Sequence, residues 1–548
     1  MGLIPSSNVS ELTPELEKVI LNTFSLVIIN EWDQQQRRAF PKSQMMPGKY
    51  MATRYLQLQH PSRQGRTSGD GRGIWNGEIR HRGVTWDVMS SGTGATRLSP
   101  AVAKEGRFFR SGDPQVCYGN GYNTITDGLA AALMSESLYR EGVSTERTLA
   151  LIRFPGGSSI NVRAGKNLLR PSHLFLPLKQ GDHQGLIEAV HYCIERERLN
   201  GNLVIPKDWR THPREAEQLF CEKVVQNFAR ASARFRSDQI FCWLDWDGDN
   251  ILCDGGIIDY GSIRRFGAYH RGYRYDDGDR WSTRLGEQKE RARYIAQTFV
   301  QILDFLKTGT KKPIRDFSHD PILDLFDRVH EEALWSRNLW KVGLSEREIN
   351  LLLDSEQKNP SSALQEFKCS IAAIEGRQSR KGIRSVPDGE VSHGVFSLKR
   401  FFLHYPQLWR GSQEWVGSRK LSELCRTEYA TRRDLLQTPP LRFAWRRLEQ
   451  AYRNLNQECA HRLGVQTRQL MAQWSMRASQ RNRTLILTGD GVLAAMEILI
   501  RLSSRRAQRS IPQILDGLSM KLLRSELTRK DKDTRRVLLE IERYQDGI

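Results

Sequence analysis

The chain has 548 residues, 39% of them hydrophobic and 27% charged. At about 100–200 residues per domain this is three or four domains' worth of chain. The composition excludes a collagen, a mainly disordered chain and a disulfide-dense miniprotein. Lys and Arg number 83 against 63 Asp and Glu, a net charge of +20 that favours polyanionic partners: nucleotides, nucleic acid, acidic proteins or anionic lipid.

In chain order, Pro14 and Glu15 open a helical pattern in which Leu16, Val19, Ile20, Phe24 and Val27 share one face. Residues 61–72, rich in Gly, Ser and Arg, read as a connector. Val84 to Met89 is a short β-like run, and Ser90-Ser91-Gly92-Thr93-Gly94-Ala95-Thr96-Arg97 follows it as a glycine turn. A helix is expected over 128–140, ended by Gly142, then an apolar strand over 148–154. Pro206 to Phe235 reads as an amphipathic helix with Ala216, Phe220, Val224, Phe228 and Ala231 on one face. Residues 240–266 hold an apolar strand, an acidic loop, a second strand and a glycine turn. After Trp281 the chain is mostly helical, with breaks expected at 307–313, 376–394 and Pro439-Pro440.

Eight cysteines are scattered singly with no C-x-x-C pair, so neither a zinc ribbon nor a thioredoxin motif is present. Such usage suits a reducing compartment, and a cytoplasmic location is expected. No run of 18 apolar residues exists, so no membrane span is expected. Met1-Gly2-Leu3-Ile4-Pro5-Ser6 does not read as a secretory signal, although it fits the loose myristoylation pattern. From Leu441 onward there are 21 basic and 11 acidic residues, a net of +10 in the last fifth of the chain.

The strongest local signal is Trp246-Asp247-Gly248-Asp249-Asn250-Ile251, followed by Ile257-Ile258-Asp259-Tyr260-Gly261. Two apolar strand segments would bring Asp249, Asn250 and Asp259 to one end of a hairpin. Their hard oxygen donors are what Mg²⁺ takes when it also binds phosphate oxygens. A polar hairpin tip is the alternative. A calcium loop is excluded, because Asn250 and Gly256 stand where that loop needs Gly and Glu. The turn at Gly92 and Gly94 lets backbone N–H groups approach phosphate, or is an ordinary turn. It is neither a Walker loop nor a complete dinucleotide fingerprint. Arg163 and Arg170 offer guanidinium forks for phosphate oxygens, or are solvated surface arginines. His173 reads as a structural hydrogen-bonding residue.

Taken together and in order, these segments resemble the selenoprotein O family of protein adenylyltransferases. The resemblance runs from about Gly69 to about Trp281. Gly69-Asp70-Gly71-Arg72-Gly73-Ile74 resembles the family's G-D-G-R-A-I, and Gly77-Glu78 and Trp86-Asp87-Val88-Met89 follow in register. Ser135-Glu136-Ser137 opens a segment similar to S-E-A-M-x-x-L-G-I, and Thr145-Glu146-Arg147-Thr148-Leu149 is similar to T-T-R-A-L. Arg163 and Arg170 stand seven apart, as in R-V-A-P-S-H-x-R. Asp247 to Ile251 resembles N-T-D-N-M, and Ile258-Asp259-Tyr260-Gly261 resembles I-D-Y-G-P.

The resemblance implies an α+β, two-lobed protein-kinase-like fold with a mostly α-helical C-terminal extension. Its expected parts are an N-terminal helical segment and connector (1–66), an N-lobe-like nucleotide-binding region (67–205), a C-lobe-like region with the metal and catalytic loop (206–345), and a helical C-terminal region (346–548), basic after about 440. It implies transfer of AMP from ATP to a hydroxyl of an acceptor protein, with Mg²⁺ or Mn²⁺. Asp249 would be the catalytic base, and Asn250 and Asp259 would hold the metal. Arg163 and Arg170 would clamp the phosphates, and Gly92, Gly94, Thr96 and Arg97 would line the nucleotide loop.

The chain departs from that pattern at three places. Ser91 stands where the family has a Lys, Ala130-Ala131 where it has an Arg-Glu pair, and Gly119-Asn120-Gly121-Tyr122 near its second G-D-G-R. Both halves of the Lys–Glu ion pair are therefore gone together. Three readings stay open. Arg97, Lys104 or Lys166 could replace the lost charge and transfer proceed. The protein could be a pseudoenzyme that binds nucleotide or metal, or scaffolds partners. Or it could bind a polyanion such as nucleic acid through the basic helical tail, where Arg501, Arg505, Arg506 and Arg509 cluster, although no aromatic–basic stacking motif accompanies them.

Overall fold

The computed structural model describes residues 74–81, 83–92, 123–153, 157–238, 240–242, 248–258, 264–265, 288–353, 361–377, 379, 394–412, 414–427, 430–482, 485–519 and 531–543, and a short strand at 9–11. The N-terminal helical pattern at 14–27, the glycine stretch from 93 to 97, Lys104, the segment 119–122 and Asp259 lie outside them.

The chain is α+β: among the described residues, one six-stranded, mainly antiparallel sheet, a two-stranded antiparallel ladder of Ile240–Phe241 with Arg264–Arg265, and many helices. The sheet contains β1 (Val9–Glu11), β2 (Ile74–His81), β3 (Val84–Ser91), β4 (Asn123–Thr124), β5 (Arg147–Arg153) and β6 (Ser158–Gly165). β2 and β3 form a hairpin turned at Gly83, and β6 lies antiparallel to both β3 and β5. The register sets Arg163 opposite Met89 on one side and Thr148 on the other.

Helix α1 (Ile125–Arg140) starts three residues before the pattern suggests. Thr124 explains this, because it caps the helix: Asp127 N–H donates to its Oγ1, and the Asp127 carboxylate accepts from the Thr124 backbone. Leu129, Leu133 and Leu138 are fully buried on its inner face. The helix is locked to β5 by charge. Arg147 donates through Nε and Nη2 to both oxygens of Glu136, at 3.1 and 2.9 Å, and the Thr148 backbone donates to the same carboxylate at 2.9 Å. The Ser135 and Thr148 hydroxyls share a further hydrogen bond. All four side chains are buried. Two of the family-like motifs thus meet as a structural joint.

Below the sheet come α2 (Pro171–Gln180), α3 (His183–Leu199), α4 (Pro213–Ser237), α5 (Gln288–Thr308) and α6 (Pro321–Val342). Helix α4 begins seven residues later than its apolar pattern suggests. Pro213 takes the first helical position and holds His212 out of the helical region, at φ −134° and ψ 68°. Before it, Trp209–Thr211 make a single 3₁₀ turn. At the other end of α4, Asp238 binds Arg337 and Lys341 of α6, each within 3.0 Å, as well as Arg234. Those three cations hold the Asp238 carboxyl well below the ordinary range, against the opposing effect of its burial.

The remaining helices are α7 (Glu346–Leu353), α8 (Ser362–Glu375), α9 (Leu398–Ser412), α10 (Ser418–Cys425), α11 (Pro439–Leu463), α12 (Thr467–Asn482), α13 (Gly489–Leu499), α14 (Ser504–Ser519) and α15 (Lys532–Glu542). Two cores divide them. One runs from α1 through α6 and is completed by apolar residues of α13, α14 and α15. The other joins the C-terminal half of α6 to α7–α12, around the aromatics Phe401, Tyr405, Trp445, Tyr452 and Trp474. The last helices therefore return to α1, where Arg140 donates to Asp516 of α14. Arg506, one of the basic cluster, is tied to Asp533 of α15. No helix among the described residues is long and apolar enough to cross a membrane.

Removing one partner of a buried pair leaves an uncompensated charge, at a cost of about 3–5 kcal/mol. Glu136→Gln should lower the unfolding free energy by that order in urea titrations. The double variant Glu136→Leu/Arg147→Met should recover much of the loss. Equal stability of Glu136→Gln and wild type would show that the joint does not hold α1.

Candidate functional site

The hairpin expected around Asp249 forms. Ile251 and Ile257 pair as an antiparallel bridge, and Leu252 N–H donates to the Gly256 carbonyl at 2.7 Å. This pairing sets residue 250 across from residue 258, the position before Asp259. The hairpin is seated under the sheet: Leu252 and Ile258 pack with Met89 of β3 and Leu168 in a small apolar cluster. Ile257 also pairs in parallel with Thr145, whose hydroxyl donates to the Ile257 carbonyl at 3.0 Å.

Gly248 carries the approach to the hairpin. Its φ is +71°, and a Cβ there would lie 2.5 Å from Pro171 Cβ. Only glycine lets the backbone cross the start of α2 this closely. The crossing delivers Asp249 to the N-terminus of α2, where a carboxylate is favoured by the helix dipole. There Arg170 Nη1 donates to Asp249 Oδ1 at 2.7 Å, and Ser172 Oγ donates to the same oxygen at 3.3 Å. Arg170 itself is fixed by His173, whose Nδ1 accepts from the Arg170 backbone N–H at 2.9 Å. His173 is thus a buried structural residue that orients the arginine.

Arg163, on β6, reaches the opposite limb of the hairpin. Its Nη1 donates to the Ile258 carbonyl at 3.3 Å and to Glu146 Oε1 at 2.8 Å. The two arginines and the two hairpin limbs, separated by some 80–95 residues in sequence, are therefore brought together. Asn250 is buried at the open end of the hairpin. Lys166 lies toward the other end, where it lines a cavity with Leu252 and with Asp254 of the turn. Gly92, at φ +88°, sits against β6, where a Cβ would lie 2.4 Å from the Ser159 carbonyl oxygen. Close strand packing therefore accounts for glycine there. Ser91 accepts a hydrogen bond from the Asn123 amide.

Glu146 is the site residue that sequence reasoning missed. Its signal was present, since it is the one charged residue that the chain has in place of a Thr in the T-T-R-A-L-like motif. In kind, the donors fit a hard cation: a carboxamide oxygen at 250, a carboxylate at 249, and a segment in register with 250 that leads into Asp259. Among the described residues no cluster of three His, Cys, Asp or Glu is placed to hold a metal ion.

Comparison with known proteins adds one relation. Over 209 residues the chain is 27% identical to protein nucleotidyltransferase YdiU of Synechococcus elongatus, covering 35% of this chain and 36% of the relative. The protein of the same name from another Synechococcus strain matches to the same extent. That of Tolumonas auensis is 26% identical over 144 residues, 24% of each chain. The chain is a distant, partial relative of the YdiU nucleotidyltransferases. It spans about a third of the length of these curated YdiU proteins, or less. No family model matches it.

Gly248→Ala should combine positive-φ strain with the clash against Pro171, a loss of about 2–4 kcal/mol. Gly181→Ala, at φ +70° with open space around it, should lose only the backbone part, about 1 kcal/mol. Chemical denaturation of the two variants checks this. Equal losses would mean that the crossing over α2 is not tight.

Proposed function

We propose that this chain is a nucleotide-binding protein of the adenylyltransferase type, acting on ATP and transferring AMP to a hydroxyl of an acceptor protein. In this reading residues 67–205 form the upper lobe and 206–345 the lower lobe of a kinase-like fold, with 346–548 as helical extension. One observation carries the proposal: Arg163 and Arg170, from the sheet and the loop after it, converge on the two limbs of the Asp249–Ile258 hairpin. The partial relation to the YdiU nucleotidyltransferases supports the same chemistry.

The residues take the following roles. The acceptor hydroxyl oxygen attacks the α-phosphorus, the bond from that phosphorus to the bridging oxygen breaks, and pyrophosphate leaves. Asp249, held by Arg170 and Ser172, takes the hydroxyl proton. Asn250 and Asp259 would hold the divalent ion, which when bound supplies charge neutralisation at the phosphates. Arg163 and Arg170 add positive charge beside the phosphates. Gly92, Gly94, Thr96 and Arg97 would border the nucleotide, the last three lying outside the described residues.

A second reading rests on Glu146. It stands where the family-like motif has Thr, and its buried carboxylate binds Arg163 at 2.8 Å. Arg170 is bound in turn to Asp249. With both arginines engaged by carboxylates, and Ser91 in place of a Lys, phosphate would be gripped weakly. A pseudoenzyme that binds nucleotide without efficient transfer follows from that state.

ATP labelled at the α-phosphate separates the readings. Under the first, label appears on the protein or an acceptor with Mg²⁺ or Mn²⁺ present, and γ-label does not. Asn250→Ala and Asp259→Ala should each reduce the label by on the order of 10³-fold. Equal labelling of wild type and both variants would eliminate the transferase. Glu146→Thr should release Arg163 and tighten ATP binding by about tenfold in a titration. No change would remove the ground for the second reading.

A further inference from the structure

A cavity of about 280 Å³ lies where the two cores meet, walled by the end of α4, by α6, by the first turn of α9 and by the end of α12. Five basic side chains line it, Arg236, Arg337, Lys341, Lys399 and Arg481, against three acidic ones, Glu141, Asp238 and Glu375. One of those acids is already saturated, since Asp238 accepts from Arg337 at 3.0 and 3.1 Å and binds Lys341 and Arg234 as well. Arg236 and Arg481 form no ion pair among the described residues. Arg481 spends Nη1 on the carbonyls of Trp340 and Leu344, at 2.6 and 2.7 Å. Burial, with Arg477 and Arg337 nearby, draws its pKa down to about 10. The lining thus carries more basic than acidic side chains, and Glu375, whose carboxyl burial pushes up, is the acid that faces Lys341 and Arg236.

The shape of the wall adds to the charge. The Trp340 ring carries two guanidinium groups, Arg337 at 3.9 Å and Arg481 at 4.6 Å from its centre. Ser397 and Lys399 bring the N-terminal turn of α9 to the cavity, and the first N–H groups of a helix favour an anion. Basic groups therefore approach from four separate elements, an arrangement suited to a tetrahedral oxyanion with several acceptor oxygens.

We propose that this cavity is a binding site for a phosphate group, distinct from the hairpin site. Its volume admits inorganic phosphate or a small organic phosphate. The apolar side chains Phe396, Leu398 and Phe402 in its lining leave room for a phosphate ester with a small apolar part. Occupation would neutralise Arg236 and Arg481 and tie the α4–α6 corner of one core to α9 and α12 of the other.

The test is calorimetric titration of the full chain with inorganic phosphate and with phenyl phosphate, at constant ionic strength set with chloride. Saturable binding is expected. Arg236→Ala, at an exposed position, should weaken it about tenfold, as loss of one charge-assisted bond would. Arg481→Gln should weaken it similarly; if that variant fails to fold, Arg236→Ala carries the test. Arg230→Ala, also on α4 but outside the cavity, should bind as wild type does, whereas Arg163→Gln, at the hairpin, reports any phosphate held there instead. Tighter binding of phenyl phosphate assigns the site to an organic phosphate, and equal binding assigns it to the free ion. Absence of saturable binding, unchanged affinity in Arg236→Ala, or a loss that follows Arg163→Gln instead would each overturn the proposal.

Discussion

The buried fork between Glu136 and Arg147 is the constraint from which the site's geometry follows. It fixes α1 against β5 with three hydrogen bonds to one carboxylate. β5 in turn sets the register of β6, and β6 places Arg163. Thr145, two residues before the fork, pairs with Ile257 and so hangs the hairpin from the same strand entrance. A slip of one residue in β5 would turn its own side chains to the other face and break the alignment of Thr148 with Arg163. The cost of separating a buried charge pair makes such a slip unfavourable.

The hairpin was legible in the sequence because its signals are local. Apolar residues flank a Gly-rich turn, and polar residues stand just outside them, so pairing of 251 with 257 places 250 and 258 together. Helices α1 and α4 were legible from their apolar stripes, but their starts were set by chemistry the stripe does not contain. Thr124 caps one early, and Pro213 delays the other. The Glu146–Arg163 pair was not legible, because the two residues meet only through the β5–β6 register. The return of α13–α15 to α1 was also hidden. Periodicity says which face of a helix is buried, not what buries it, and Arg140 and Asp516 are 376 residues apart.

That return changes how the basic tail is understood. The apolar faces of α13, α14 and α15 complete the core that begins in α1. Arg506 is committed to Asp533, and Arg140 to Asp516. Part of the tail's charge is thus structural, helping to close a helical cap over α1. Arg236 and Arg481, by contrast, form no ion pair among the described residues and face a cavity at the junction of the two cores.

The absence of a Lys at position 91 and of a Glu at position 131 is explained by what α1 does. The helix keeps one buried carboxylate, Glu136, but that group accepts from Arg147 and from the Thr148 backbone and cannot serve a second cation. A Lys at position 91 would have no carboxylate waiting on this helix. Ala131 instead packs against the core, and Ser91 takes a neutral hydrogen bond from Asn123. Losing both charges together avoids stranding either one. Among the described residues of the proposed nucleotide site, the positive charge then comes from Arg163 and Arg170. Both are already bound to carboxylates, so each phosphate contact must compete with Glu146 or Asp249. Affinity for ATP would then depend on the strength of two protein ion pairs, and Glu146, which stands where the family-like motif has Thr, sets one of them.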